Sequence, residues 1–325
     1  MTPADLSLTV LHAVRRAVDE GALLVDVPAR VRVERPRGGG VGDYASSVAL
    51  GLARPAGRSA LDVAAILRER LRDSPGIRAV DITGPGFLNF TLDGDSDRRV
   101  VADVLAAGAR YGYSDALAST RVRLFPADEP RAALLVETVV RLLRAQGADA
   151  AVAAGPGAER LAVVPAPADF RPDALGDDAA RWALLRPAAH DHVLPGAPLL
   201  VQHERNALFR VRYAHARVRR LLHNAARLGF TPACAEHVDA PLLLSLLGDH
   251  PAVLLSAARL RAPDRVARQL EAVADALLAF QHTVLPLGDE KPSAAHRSRL
   301  ALAEAAGTVL AGGLTLLGIS APDQI

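Results

Sequence analysis

Residues 201–325 consist almost entirely of helix-periodic segments joined by short loops, and this pattern constrains the fold most. Half of all residues in the chain are hydrophobic but only 4% are aromatic. Its cores must therefore be packed by Ala, Leu and Val, and Ala and Leu are strong helix formers. The sequence predicts an all-α helical bundle here. Its expected helices are Arg205–Arg227, Pro241–Leu247, Pro251–Leu260, Asp264–His282 and Ser293–Ala311.

Residues 1–115 alternate helix and strand patterns, and they predict a compact α+β N-terminal domain. Strands are expected on both sides of the turn Gly84-Pro-Gly86 and between Leu23 and Val33. The glycine-rich run 38–42 lacks the Gly-Lys-Ser/Thr ending of a phosphate-binding loop, so it predicts a hinge. The expected helices of this domain are Leu6–Val18, Ala60–Arg72 and Asp95–Ala109.

Residues 116–200 form a separate, small α/β pattern. A strand at Val122–Phe125, a helix at Arg131–Gln146 and a strand at Asp149–Ala153 follow one another, and a further strand is expected at Leu161–Val164. This β-α-β fragment has about the size of one half of a nucleotide-binding unit. A helix at Asp177–Leu185 ends the segment.

The segment Arg205–Arg227 predicts one amphipathic helix with a basic stripe, begun by Asn206 and stopped by Gly229. A stripe of this kind is most often a solvated surface. The alternative is a surface for a polyanion, because arginine forks fit phosphate oxygens. The apolar face contains Leu208, Val211, Val218, Leu222 and Ala225. The polar face contains Arg210, Tyr213, Arg217, Arg220, Asn224 and Arg227.

Composition limits the class of protein. The net charge is only +2, so any nucleic-acid site must be a local patch. Cys234 is the only cysteine, which excludes a disulfide within the chain and a zinc ribbon and suits a reducing cytoplasm. We expect no signal peptide and no membrane span, since charged residues interrupt every long apolar run. The sequence predicts a cytoplasmic protein.

Candidate chemical sites are weak. His190 and His192 form an H-x-H pair, but no third metal ligand accompanies them, so an ordinary loop is the better interpretation. Asp177, Asp178 and Arg181 have the spacing of structural pairs on a helix. No arrangement of nucleophile, base and acid stands out. The residues alone predict neither a metal site nor a catalytic site.

Several motifs, in the same order, resemble the arginyl-tRNA synthetases, a class I family. The segments Gly42–Gly57 and Gly84-Pro-Gly-Phe-Leu-Asn-Phe90 look like the N-terminal additional domain of that family. Asp178-Ala-Ala-Arg-Trp-Ala-Leu-Leu185 is similar to the end of its catalytic domain. Arg212-Tyr-Ala-His-Ala-Arg-Val218 and the segment 300–322 look like the two ends of its anticodon-binding bundle. The resemblance covers residues 1–115 and 177–325 and implies a degenerate remnant of the catalytic Rossmann domain at 116–200.

The same resemblance shows what this sequence lacks. The family activates arginine with ATP through an H-x-G-H motif and a lysine-bearing KMSKS-type loop. No two of the ten histidines here are three positions apart, and Lys291 is the only lysine. The place of the first motif is taken by Pro126-Ala-Asp-Glu-Pro-Arg131, whose carboxylates would repel phosphate. We therefore expect a truncated paralogue without a functional catalytic domain and without a cofactor, with ATP implied only if ligase activity is retained.

The leading hypothesis is a non-catalytic tRNA-binding protein, with tRNA-Arg as the implied partner. One alternative is an arginine–tRNA ligase, and another is a protein-interaction scaffold that has lost RNA binding. A ring and an amide suit an unstacked base, and the family places an aromatic residue and an asparagine against the tRNA D-loop. The implied RNA-binding residues are Phe87, Asn89, Arg210, Tyr213, His215, Arg217, Arg220, Asn224 and Arg227. A protein partner in a tRNA-dependent pathway also fits.

Overall fold

A computed structural model describes residues 3–34, 36, 41–92, 94–125 and 128–325. The chain divides into two compact units, residues 1–100 and residues 101–325. The predicted middle segment 116–200 therefore belongs to the second unit, and its status as a separate domain stays a prediction. Most of the predicted hinge at 38–42 lies outside the described residues.

The first unit is a small antiparallel sheet covered by helices. Its helices are α1 (Pro3–Asp19), α2 (Val48–Ala53) and α3 (Ala60–Leu71), and its strands are β1 (Tyr44–Ser46), β2 (Ile77–Thr83) and β3 (Phe87–Leu92). The strand order is β1-β3-β2, so β3 lies in the centre. The side chain of Ser59 caps α3 by accepting a hydrogen bond from the Asp62 amide at 3.0 Å, as its position in the sequence predicts.

The strands expected between Leu23 and Val33 are absent. Leu23 and Val31 are buried in the core of the first unit, but this stretch forms no ladder. Only Glu34, beyond its end, makes an isolated bridge with Ala45 of β1. The alternating apolar residues anchor an irregular segment, because Pro28 interrupts the run and removes a ladder donor.

The second unit begins with two parallel strands and their connecting helix. After α4 (Gly94–Ala107), which contains the boundary between the units, come β4 (Arg121–Leu124), α5 (Pro130–Ala145) and β5 (Asp149–Val152). β4 and β5 pair in parallel, from Arg121 with Asp149 to Leu124 with Val152. The strand predicted at Leu161–Val164 is wrong, because this stretch is irregular. Two helices follow, α6 (Pro172–Leu175) and α7 (Asp177–Leu185).

The predicted all-α bundle is confirmed, with α8 (Ala207–Arg227), α9 (Pro241–Leu260), α10 (Asp264–Phe280) and α11 (Ala294–Leu317). Helix α10 packs against the other three. The sequence predicts two helices where α9 is one, with Pro251 inside it. Pro251 has no N–H for the Leu247 carbonyl one turn earlier. The Tyr111 hydroxyl donates to that carbonyl instead, at 3.1 Å, so the helix continues.

Helix α11 is also longer than predicted, because its glycines serve packing. A β-carbon on Gly313 would lie 2.5 Å from Leu270 of α10, so this glycine allows close helix contact. Gly318, with a φ of 75°, is the residue that ends the helix. The first turn is capped by Ser293, and His296 completes a reciprocal capping box.

Two helices of the described chain, α9 and α11, are long and apolar enough to cross a membrane. Within them, 50% and 72% of the apolar window is buried against the rest of the protein. Packing in the bundle therefore accounts for their apolar composition. The sequence-based expectation that the chain has no apolar run long enough to cross a membrane is wrong for these two helices.

Candidate nucleic-acid interface

Helix α8 is fixed at its start and along its apolar face. The Asn206 Oδ1 accepts a hydrogen bond from the Phe209 amide at 3.2 Å, and its Nδ2 donates to the Leu199 and Val201 carbonyls at 2.8 and 2.9 Å. The buried face packs against α10 and α11. It contains Leu208, Val211, Ala214, Val218, Leu221 and Ala225, whereas the predicted Leu222 is half-buried. The amphipathic helix is confirmed, with its polar side left at the surface.

Three residues of the predicted stripe keep a free or uncompensated positive charge. Arg220 and Arg227 are exposed, and neither has a hydrogen-bond or ion-pair partner in the described part of the chain. Arg217 is half-buried and donates through Nε to the neutral Gln281 Oε1 at 2.5 Å, so its charge is positioned and not neutralised. These side chains are the part of the stripe that is available to an anion.

Tyr213 and Asn224 lie on the same side of α8. Tyr213 is 39% exposed and stacks on Phe209, with 5.7 Å between ring centroids. Asn224 is half-buried. Proteins that recognise single-stranded RNA stack an unstacked base on an exposed aromatic ring and bind the backbone through nearby arginines. Tyr213 and its neighbouring arginines offer this combination.

Arg210 departs from the prediction. Its Nε donates to Asp275 Oδ1 of α10 at 2.8 Å, and its Nη1 donates to the Glu204 carbonyl at 2.7 Å. The sequence pattern could not show this, because Asp275 is on another helix. Arg210 joins α8 to α10, and its charge is compensated within the chain.

Two other predicted contact residues are buried. His215 is 6% exposed, and its Nδ1 lies 2.9 Å from the Pro322 carbonyl oxygen. Asn89 is 3% exposed in the central strand, where its Nδ2 donates to Thr83 Oγ1 at 2.6 Å. Neither side chain is exposed in this conformation, and a contact of either with RNA stays a prediction. Phe87, at the start of β3, is 38% exposed and remains available.

A cavity of about 520 Å³ lies between the polar face of α8 and the segment 323–325. Two of its residues, Arg219 and His223, are not among the residues predicted from the sequence. They are four positions apart on α8, so helical periodicity places them on one side of the helix. Three arginines and one carboxylate give the cavity a net positive charge. It is lined by Tyr213, Ala216, Arg217, Arg219, Arg220, His223, Asp323, Gln324 and Ile325.

A second cavity of about 450 Å³ lies beside the first, on the side of α7. Gln324 and Ile325 line both cavities, so the segment 323–325 separates them. Its walls mix polar and apolar side chains, with Leu200 and Val201 each more than half exposed at its edge. Nothing in the sequence pattern indicates this cavity, because its residues come from four separate stretches of chain.

The start of α5 is the place where an α/β unit of this type would bind phosphate. Here the Glu129 carboxylate takes the free amides: Oε2 accepts from Ala132 at 2.7 Å and Oε1 from Ala166 at 3.0 Å. Residues 126 and 127 of the predicted replacement motif lie outside the described residues. A side-chain carboxylate therefore lies at the start of α5 and accepts from one of its amides, where an anionic ligand would bind.

Arg131 closes the same region. Its side chain is 1% exposed and donates to the carbonyl oxygens of Val164, Leu184, Ala188 and Asp191 at distances from 2.6 to 3.1 Å. Burial lowers the pKa of its guanidinium, and the nearby Glu129 and Asp191 carboxylates oppose that shift. Arg131 thus points into the protein and serves as a structural tie.

No group of three or more His, Cys, Asp or Glu side chains that could hold a metal ion occurs among the described residues. His190 is exposed and lies 3.7 Å from Asp191.

Two family models match this chain. The arginyl-tRNA synthetase N-terminal domain matches residues 8–92, and the DALR anticodon-binding domain matches residues 211–325. The first match covers the small sheet and its helices. The second covers α8 to α11 and therefore includes the basic face and the cavity beside it.

Curated relatives match in part or throughout. The chain is 50% identical over 124 residues to the arginine–tRNA ligase of Frankia alni and 43% identical over 164 residues to that of Micrococcus luteus. These matches cover 38% and 46% of this chain but only 22% and 30% of the relatives. The chain thus spans less than a third of the length of these relatives.

The arginine–tRNA ligase of Pseudarthrobacter chlorophenolicus aligns over 554 positions, covering all of both chains at 25% identity. With 325 residues in this chain, the difference between 554 and 325 leaves at least 229 positions without a counterpart.

Solved structures agree in fold. The arginyl-tRNA synthetase of Thermus thermophilus superimposes with a TM-score of 0.73 at 12% identity, covering all of both chains. The arginyl-tRNA synthetase of Plasmodium falciparum superimposes with a TM-score of 0.67 at 7% identity, covering 99% of each chain. The chain thus contains an arginyl-tRNA synthetase N-terminal domain and a DALR anticodon-binding domain, and it shares the fold of arginyl-tRNA synthetases.

Proposed function

We propose that this chain is a non-catalytic tRNA-binding protein, with tRNA-Arg as the first candidate ligand. The observation that carries the proposal is the positive cavity on α8, inside the segment that matches the DALR anticodon-binding domain. Arg217 and Arg220 are the cations that would meet the phosphates, with Tyr213 as the stacking surface. Arg227 extends the same face, and Phe87 offers a second contact in the N-terminal domain. A cytoplasmic location suits such a function.

The absence of catalysis is part of the proposal. ATP activation needs donors for a triphosphate, and the helix start that would supply them is occupied by the Glu129 carboxylate. The chain has one lysine and no pair of histidines spaced three apart. At least 229 aligned positions of a full-length ligase also have no counterpart here, the difference between 554 and 325. Together these observations favour a protein that holds tRNA without charging it.

The test is the affinity for unmodified tRNA-Arg of the unaltered chain and of the double variant Arg217→Ala, Arg220→Ala. Losing two phosphate contacts of about 1 kcal/mol each should weaken binding roughly 10- to 50-fold. The matched control is Arg259→Ala, Arg265→Ala, which removes two exposed arginines outside α8. Equal losses in both double variants would reject the α8 face as the binding surface.

Ligase activity is the first alternative, because the curated relatives are named as ligases. It requires arginine-dependent exchange of pyrophosphate into ATP. Exchange above the level without arginine, in a preparation free of other synthetases, would replace our proposal with this one.

The second alternative is a protein-interaction scaffold. It is favoured by the exposed apolar side chains of Leu200, Val201 and Ile325, which line the 450 Å³ cavity. A stoichiometric protein complex that forms in nuclease-treated samples, together with no affinity for tRNA, would support this function instead.

A further inference from the structure

Helix α7 lies outside the segment 211–325 that matches the DALR domain, but its side chains hold that segment in place. Arg186, directly after the last residue of α7, donates to both carboxylate oxygens of Glu271 in α10, at 2.8 and 3.0 Å. At the other end of α7, the Asp178 carboxylate accepts from the Ser320 amide at 2.9 Å and from the Ser320 hydroxyl. The two ends of this nine-residue helix are therefore tied to α10 and to the chain that follows α11.

Asp178 also contacts the helix that carries the candidate interface. Arg212 of α8 has its Nη2 3.4 Å from Asp178 Oδ2, and the same nitrogen donates to Ser320 Oγ at 3.2 Å. The side chains of Asp178 and Arg212 are only 24% and 30% exposed. Charged groups that share hydrogen bonds away from water hold a more defined geometry than an exposed ion pair. One carboxylate thus joins α7, α8 and residue 320.

The end of α11 is held by two further arginines. A β-carbon on Gly318 would lie 2.7 Å from Arg181 Nη1 of α7 and 3.0 Å from Arg141 Nη2 of α5, so the glycine leaves room for both guanidiniums. Arg141 Nε also donates to the Leu316 carbonyl at 3.0 Å. Cations are favourable at this end of a helix, because its unpaired carbonyl groups carry a partial negative charge. The chain therefore leaves α11 at a point that α5 and α7 fix.

The chain after α11 contacts α8 at a second point. Ile319 is buried at 2% exposure, and the Pro322 carbonyl oxygen lies 2.9 Å from His215 Nδ1. His215 is two positions from Tyr213 and two from Arg217, the proposed stacking and phosphate-binding side chains. Contacts therefore run from α7 through residues 320 and 322 to the middle of α8.

We infer that Asp178 is a positioning residue of the tRNA interface, which fixes Arg212 and Ser320 and, through them, the placement of α8 against residues 319–322. This inference rests on the proposed function. Charge alone gives the opposite expectation, because a carboxylate near a polyanion repels it. A variant that removes the charge of Asp178 and keeps its shape therefore separates positioning from electrostatics by the sign of its effect on binding.

The test is the affinity of Asp178→Asn for unmodified tRNA-Arg, with Asp177→Asn as the matched control. Both variants remove one carboxylate from the first turn of α7, but Asp177 is exposed and has no hydrogen-bond or ion-pair partner in the described part of the chain. In Asp178→Asn, an amide donor replaces one of the two oxygens that Ser320 and Arg212 need. Binding by Asp178→Asn should weaken about 3- to 10-fold. Asp177→Asn should bind as the natural chain does, or up to about 2-fold more tightly.

Two further measurements examine the same network. Ser320→Ala removes the hydroxyl from its other side and should weaken binding as well. Because both changes break one network, the double variant Asp178→Asn, Ser320→Ala should bind no more weakly than Asp178→Asn alone. In Asp178→Asn, the NMR signals of the His215 ring should shift, whereas those of the buried His250 ring should stay in place and show an intact bundle.

Weaker binding by Asp178→Asn than by Asp177→Asn, together with shifted His215 signals, would support the inference. Equal affinities of these two variants, or full additivity with Ser320→Ala, would overturn the positioning role and leave tRNA binding intact. Should Asp178→Asn also move the His250 signals, Ser320→Ala takes its place in the comparison, and an affinity equal to that of Asp177→Asn overturns the inference. No binding of tRNA-Arg by the natural chain would overturn both proposals.

Discussion

His250 shows how a single buried residue can make the second unit sensitive to pH. It is 1% exposed, stacks on the Tyr111 ring with 5.9 Å between centroids, and has its Nδ1 2.8 Å from Gln269 Oε1. Because the Gln269 amide nitrogen donates to the Leu246 carbonyl at 3.0 Å, its oxygen faces the imidazole and Nδ1 carries the proton. Burial lowers the pKa of His250 to about 4, and the hydrogen bond to Gln269 opposes this shift.

The pKa of His250 predicts a loss of stability in mild acid. The unfolded chain takes up this proton near pH 6.5 and the folded chain only near pH 4. The contribution of His250 to the free energy of unfolding is therefore fully present above pH 6.5 and is lost as the pH falls to 4. The loss amounts to about 3 kcal/mol. Between pH 6.5 and pH 4, the free energy of unfolding of the variant His250→Gln should fall by about 3 kcal/mol less than that of the natural chain. Urea unfolding, followed by the fluorescence of the buried Trp182, measures it; equal slopes would contradict the prediction.

The surroundings of the candidate interface residues could be predicted from the sequence only in part, for a physical reason. Periodicity shows which side of α8 is polar, and Tyr213, Arg217, Arg220 and Arg227 do lie on that side. It does not show what a different element places on that side. Asp275 neutralises Arg210, and the segment around Pro322 buries His215. The pattern of a strand likewise cannot tell that β3 is the central strand or that Asn89 is buried in it.

Helix α9 is the element whose continuity depends most clearly on a distant side chain. Pro251 leaves the Leu247 carbonyl without its helical donor, and Tyr111 supplies a hydroxyl from 136 positions earlier in the chain. A sequence pattern contains no sign of such a partner. This explains why the segment predicts two short helices, whereas both ends of α8 and of α10 lie within two residues of the prediction.

The variant Tyr111→Phe should destabilise the second unit by about 1–2 kcal/mol, because it leaves a buried carbonyl unpaired. Pro251→Ala restores an N–H at the right position. It should therefore stabilise the Tyr111→Phe variant more than it stabilises the natural chain. Chemical denaturation of all four proteins gives the coupling free energy between the two sites. Strict additivity of the two changes would show that the hydroxyl does not replace the helical donor.

At the scale of the whole molecule, the two segments that match domain models differ from the segment between them. The segments that match the N-terminal and DALR models keep their cores and their exposed polar faces. In the middle, Glu129 and Arg131 bind the protein's own backbone, through amides on one side and carbonyls on the other. Groups at the start of α5 thus stabilise the second unit.

The central claim is that a positive face on α8 binds the phosphates of tRNA. The most direct measurement is the dependence of the tRNA-Arg association constant on salt concentration. Contacts from Arg217, Arg220 and Arg227 predict a logarithmic slope of about −2 to −3, at 0.7 to 0.9 per phosphate. Arg217→Ala with Arg220→Ala should reduce that slope by about 1.4 to 1.8. A slope near zero, or one that the double variant leaves unchanged, would contradict the account.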